Sequence, residues 1–305
     1  MKNNAWGALA SAAIFCVGVV PAAEAAYPGA NGEIVYERKA DQFAGNSDPW
    51  TVTAGDPSSA GKLVKIKENS YNFVYSPNGK KIAFDAKVPS EEIVVMKANG
   101  SKPKIITRKV KKCIGKRRPT WSPDGKRIAF QCLNKSGFNE HDIWSVNAKG
   151  KDLTQITTQH SAYAPAWSPL GDKIAYTTYG GAIYTVPASG GESTLLSEAA
   201  PGQFGGSWQG VDWAPNGQSL VSDASGSNGG VYTLNATTGA PSQNLATSGG
   251  EPAFSPDGTK IVYVGFGEVA PSSELHLWMM DTNGQNKQQV TSSGYARAPN
   301  WGPVP

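Results

Sequence analysis

Apolar and polar positions along the chain alternate in short runs, each closed by a small polar turn. Residues 119–130 read PTWSPDGKRIAF, residues 165–176 read PAWSPLGDKIAY, and residues 252–263 read PAFSPDGTKIVY. An aromatic ends one predicted strand. Ser-Pro-Asp-Gly then supplies a type I turn, with Ser at its first position, Pro presetting φ at the second and Gly at the fourth. A second strand follows as Ile82-Ala83-Phe84, Ile128-Ala129-Phe130, Ile174-Ala175-Tyr176, Leu220-Val221 or Ile261-Val262-Tyr263. A third recurs as Ile93-Val94-Val95-Met96, Ile143-Trp144-Ser145-Val146 or Leu277-Trp278-Met279-Met280, and a fourth as Lys104-Ile105-Ile106-Thr107 or Leu153-Thr154-Gln155-Ile156-Thr157. The period of two and the dense turn signals predict strands throughout.

The motif aromatics Tyr75, Trp121, Trp167, Trp213, Phe254 and Trp301 are spaced 46, 46, 46, 41 and 47 residues apart. Four strands per period of this length predict the blades of a β-propeller. Asn31–Tyr36 reads as a second strand with no first strand before it, and Pro299–Pro303 as a first strand with no second strand after it. Joined, they make the sixth blade and close the ring, which leaves no free edge at the join. The expected fold is therefore all-β: a six-bladed propeller over residues 27–305.

Composition adds a leader. Lys2, an apolar run from Ala5 to Val20 and Ala23-Glu24-Ala25 give the layout of a secretory signal peptide covering residues 1–26. Export, to the periplasm or outside the cell, is the expectation. Charge divides the remainder. Residues 27–160 hold 23 Lys and Arg against 13 Asp and Glu, whereas residues 161–305 hold 4 against 10. Two cysteines follow the leader, Cys113 and Cys132. One lies before the first strand of its repeat and the other after the second. Folding the hairpin at Pro123-Asp124 brings them together, which predicts a disulfide in an oxidising compartment.

The [W/F/Y]-S-P-D-G-x-x-I-A-[F/Y] repeat, met at constant phase over nearly all of residues 27–305, resembles the TolB-like propeller family. Departures are Asn78 and Asn216 for the turn Asp, Leu170 within one turn, and Ala214 and Gly302 for the turn Ser. The resemblance implies the fold. TolB itself carries an α/β domain before its propeller, whereas here the first strand follows the predicted cleavage site closely. The envelope role and partners of TolB are therefore not implied.

Chemistry is sparse. His141, His160 and His276 are isolated in sequence, and H-E-x-x-H, C-x-x-C and the phosphate-binding G-x-x-x-x-G-K-[S/T] motif do not occur. Nor does G-x-S-x-G, the elbow that peptidases with related propellers need. No cofactor and no catalytic residue is assigned, and the turn Asp residues are read as turn formers. The run 108–118, RKVKKCIGKRR, lacks the interleaved aromatics of a nucleic-acid surface. It reads as a solvated loop steering an acidic partner.

In four-stranded antiparallel blades the turns after the first and third strands share one face, and the remaining, longer loops share the other. Function concentrates on such loops. The expected binding residues on that face are Lys111, Lys112, Arg117 and Arg118, with the aromatics Phe138, Tyr163, Trp208 and Phe266. Asp85 and Asp223 are read as loop acids just past the second strands. The leading expectation is a monomeric, non-catalytic module that binds a protein or an envelope polymer and no nucleic acid. The alternative is a carbohydrate or small-molecule site, or a hydrolase or lyase, at the channel mouth.

Overall fold

A computed structural model describes residues 29–39, 47–63, 69–135, 140–198, 210–225, 229–266 and 274–305. Its strands form six four-stranded antiparallel sheets. Blade 1 comprises Ser70–Tyr75, Lys81–Lys87, Glu91–Lys97 and Lys104–Ile105. Blade 2 comprises Cys113–Trp121, Arg127–Asn134, His141–Asn147 and Thr154–Gln155. Blades 3, 4 and 5 repeat the pattern over residues 162–197, 212–247 and 250–289. Blade 6 closes the ring. Tyr295–Pro303 pairs with Asn31–Lys39, placing Trp301 opposite Ile34 and Ala296 opposite Arg38, and Asp48–Thr53 and Asp56–Lys62 complete the sheet. Among the described residues there is no helix, and so none long and apolar enough to cross a membrane.

The second strands are buried along their whole middle rather than on alternate positions. Lys81–Lys87 is exposed only at its two ends. Each blade is covered on both faces by its neighbours, so both sets of side chains enter a core. Small residues make this possible: Ala83, Ala129 and Ala175 are fully buried between larger neighbours. One such core joins blades 1 and 2 through Ala83, Ile93, Ile106, Trp121, Ile128 and Phe130.

The repeat motif forms the predicted turn. Gly125 N–H donates to the Ser122 carbonyl (2.8 Å), and the same bond recurs from Gly79 to Ser76 and from Gly258 to Ser255. Ser122 Oγ donates to Asp124 (2.6 Å) and accepts from Arg127 N–H (2.8 Å), which locks the turn onto the next strand. The aromatic then stitches blades together. Trp121 Nε1 donates to Val74 O and Trp213 Nε1 to Ala166 O of the preceding blade, whereas Trp301 Nε1 donates to Gly32 O within blade 6, across the join of the two chain ends. Gly302, the departure from Ser, has a steric cause: a Cβ there would lie 2.4 Å from the Tyr75 ring.

The disulfide Cys113–Cys132 is present, with Cα atoms 5.3 Å apart and both residues buried. It lies between paired strands, because the first two strands of blade 2 extend further than the motif suggests.

Candidate functional site

The six first strands surround one axial cavity of about 410 Å³. Three residues before the motif aromatic, the strand leaves regular pairing in a recurring bulge. The residue at this position has positive φ in five blades: Asn72 (55°), Arg118 (52°), Ala164 (46°), Glu251 (51°) and Ala298 (46°). Gly210 stands there in blade 4. A bulge re-aims backbone and side chain and leaves an N–H outside the ladder. Each such N–H needs an acceptor.

The preceding blade supplies it. Asn72 N–H donates to Glu37 (2.7 Å), Arg118 N–H to Asp85 (3.0 Å), Ala164 N–H to Gln131 (3.4 Å) and Glu251 N–H to Asp223. Glu37, Asp85, Gln131 and Asp223 occupy one equivalent position, three residues after Ile34, Ile82, Ile128 and Leu220. Blade 5 has Val264 there, and Glu251 takes over by accepting from Ala298 N–H (2.6 Å). The sequence carries a signal for this ring, a polar residue just past the apolar core of most second strands, where the alternating pattern alone ends the strand.

Asp85 and Asp223 are thus not loop acids. Both lie inside second strands and are buried, because the bulge they serve prolongs the sheet toward the channel mouth. Burial is the main cause of their raised pKa values, about 6 for each, against the backbone N–H groups of Arg118 and Glu251, which favour the charged forms. Burial likewise lifts Glu37 to about 7. Asp212 reaches about 6 by burial although two backbone amides, of Phe254 and Trp213, donate to it. It acts as a strut between blades 4 and 5.

The mouth above this ring is lined by Glu37, Asp85, Lys87, Glu91, Arg117, Arg118, Glu251 and Arg297 among others. Arg117 is held by Glu91, with Nε donating at 2.6 Å, and Arg297 by Glu251, with Nε donating at 3.1 Å. The hydrogen-bonded Glu91 raises the Arg117 guanidinium pKa and the charge of Glu251 raises that of Arg297, each above its already high ordinary value. Arg118 has no such partner among the described residues. Below the charged ring, Pro119, Pro165, Pro252 and Pro299 form an apolar belt. Proline suits this innermost position because it has no N–H to leave unpaired.

The basic run divides. Lys111 and Lys112 are exposed and border a side pocket with Lys135, Trp144 and His160. Residues 113–118 belong to the first strand of blade 2. Lys116 is buried in it against Glu92 (3.1 Å), whose other oxygen accepts from Thr107 (2.6 Å). Arg117 and Arg118 reach the channel mouth. The loop-face aromatics are also dispersed. Tyr163 lies between His141 (4.6 Å) and Tyr179 (6.4 Å), and Phe266 is exposed at the end of its strand. Phe138 and Trp208 lie outside the described residues. Among the described residues no three His, Cys, Asp or Glu side chains converge as a cation-holding group.

Comparison with known proteins places this geometry. A TolB homolog from Chlorobium luteolum is 30% identical over 146 residues, covering 46% of this chain and 31% of its own length. A Tol-Pal system protein TolB from Zymomonas mobilis is 36% identical over 77 residues, covering 25% of this chain and 16% of its own length. The chain therefore spans less than a third of these curated relatives. Among solved structures, TolB from Acinetobacter baumannii superposes with a TM-score of 0.74 at 21% identity, covering 90% of this chain and 67% of that one. An oligogalacturonate lyase in complex with manganese superposes with a TM-score of 0.59 at 12% identity, covering 87% and 84%. At such identities the likeness is one of fold. The model of the TolB beta propeller domain matches residues 51–305, more than half of the sequence, and the chain belongs to that family.

Proposed function

We propose that this protein is an exported, non-catalytic interaction module whose channel mouth and surrounding loop face receive a protein of the cell envelope. The observation that carries the reading is the mouth itself, where Arg118 and Lys87 are offered to solvent above fixed ion pairs. Such fixed, unevenly charged rims favour steering and register over chemistry. The leader-like residues 1–26 support export, and relatives named for the Tol-Pal system support an envelope partner.

The test is crosslinking capture from the native envelope fraction, with three charge variants beside the wild type. Capture of one defined envelope protein should be lost in Lys87→Glu/Arg118→Glu. It should survive Lys149→Glu on the opposite face, and weaken less than tenfold in Lys111→Glu/Lys112→Glu. Equal capture by all four proteins would remove the mouth from the reading.

A further inference from the structure

The six equivalent bulge positions differ in the side chains they point at the axis. In ring order they carry Asn72, Arg118, Ala164, Gly210, Glu251 and Ala298, so Arg118 in blade 2 stands opposite Glu251 in blade 5. Most polar groups here are occupied. Glu251 holds Arg297 and the Ala298 amide, Asn72 Nδ2 donates to Asp85 (2.8 Å), Asn300 Oδ1 accepts from Tyr75 N–H (2.8 Å), and Thr120 Oγ1 accepts from Trp167 N–H (3.2 Å).

Two groups are not. Asp223 is nine-tenths buried in the cavity wall, and its Oδ1 has no hydrogen-bond partner among the described residues. A buried, unpaired carboxylate oxygen is costly and calls for an explanation. The Arg118 guanidinium also lacks a hydrogen-bond or ion-pair partner among the described residues, yet it acts on Asp223 across the cavity, favouring its ionised form without bonding to it. Between them Ala164 and Gly210 leave one side of the ring open, and the proline belt lies beneath.

We propose that the channel is a binding site for small zwitterions of amino-acid or dipeptide size with an apolar side chain. The ligand's ammonium donates to Asp223 Oδ1, its carboxylate meets Arg118, and its apolar body rests on Pro119, Pro165 and Pro252. A volume of about 410 Å³ lies within the usual range for small-molecule sites. A buried polar group built to receive a hydrogen bond also discriminates against ligands that cannot supply it. This site shares Arg118 with the partner surface proposed above, but its chemistry does not depend on that reading.

The test uses four probes: Ala-Leu, acetyl-Ala-Leu, Ala-Leu-amide and acetyl-Ala-Leu-amide. Each is titrated by calorimetry at pH 7.5 into the wild type and two variants. Ala-Leu should bind most tightly, and blocking either end should weaken binding about tenfold or more. Asp223→Asn keeps an acceptor for Glu251 N–H, and it should abolish the penalty of acetylation while leaving that of amidation. Arg118→Asn suits the positive φ at that position. It should abolish the penalty of amidation while leaving that of acetylation. Absence of binding by all four probes, equal affinities among them, or a uniform loss in both variants would each overturn the site. None of these results bears on capture of an envelope protein, so the two proposals fail separately.

Discussion

Aspartates at the two ends of the propeller behave in opposite ways. At the turn face, Asp124 and Asp257 are held by neighbours that favour the charged form. Burial works to raise both, but Ser122 and Lys126 N–H around one, and Ser255, Thr259 and Asn31 around the other, keep them below the ordinary value. At the channel mouth, Asp85 and Asp223 are also hydrogen-bonded to backbone, yet burial prevails and both are raised. The turn acids belong to the conspicuous motif and have only a structural task. The mouth acids belong to no motif, and one of them keeps an unused oxygen. A repeated residue in a repeat protein marks what every blade needs, whereas a site arises where equivalent positions diverge.

Lys116 gives the largest expected effect on this contrast, because Glu92 is the loop-face acid with a fully buried cation. Lys116→Met leaves that buried carboxylate without its cation, with only hydroxyl donors from Thr107 and Ser90, and should destabilise the fold by about 3–5 kcal/mol in urea unfolding. The further change Glu92→Gln should restore part of the loss. A loss below about 1 kcal/mol would mean that Glu92 does not depend on its partner.

Glu37 comes next, and pH is its lever. Its folded pKa of about 7 exceeds the ordinary 4.5, so the protonated form is the one the fold prefers. Its contribution is complete below the unfolded value and declines as pH rises through about 7. Glu37→Gln should therefore gain on the wild type by about 3 kcal/mol between pH 4.5 and pH 8. A difference that stays flat with pH would place Glu37 among the ordinary carboxylates.

The smallest effect belongs to the turn. Asp124→Ala should cost about 0.5 kcal/mol near neutral pH, since this half-exposed side chain is screened by water. Its folded pKa is depressed, so the contribution is present above the unfolded value and fades as acid is added, opposite in sign to Glu37. Thermal melting at pH 7 and pH 3 separates the two.

The architecture was legible because turn chemistry and strand period are local, and they recur at one phase from Tyr75 to Trp301. The disulfide was legible for a related reason, since the hairpin brings both cysteines to one end of the strand pair, although two bulges set Cys113 opposite Asn134 and Cys132 opposite Lys116. The mouth was less so. Glu37 pairs with Asn72 and Asp85 with Arg118 only because a bulge in one blade faces a strand of another, a relation between elements rather than within one. The basic run misled in the same way. Its charge was plain, but pairing with the second strand of blade 2 draws Lys116 inside and parts Lys111 and Lys112 from Arg118.

The closure of blade 6 has a mechanical consequence. Asn31 faces Pro303 and Lys39 faces Tyr295, so the chain enters and leaves the ladder at the same end, where Val304 N–H still reaches the Ala30 carbonyl (3.0 Å). A pull applied through those two ends would not shear the ladder as a unit. It would peel the strands apart one bond at a time, beginning where Asn31 also touches Asp257 of blade 5 (2.9 Å). The ring is therefore a clasp that opens under a small force at one point and resists load applied elsewhere on its rim.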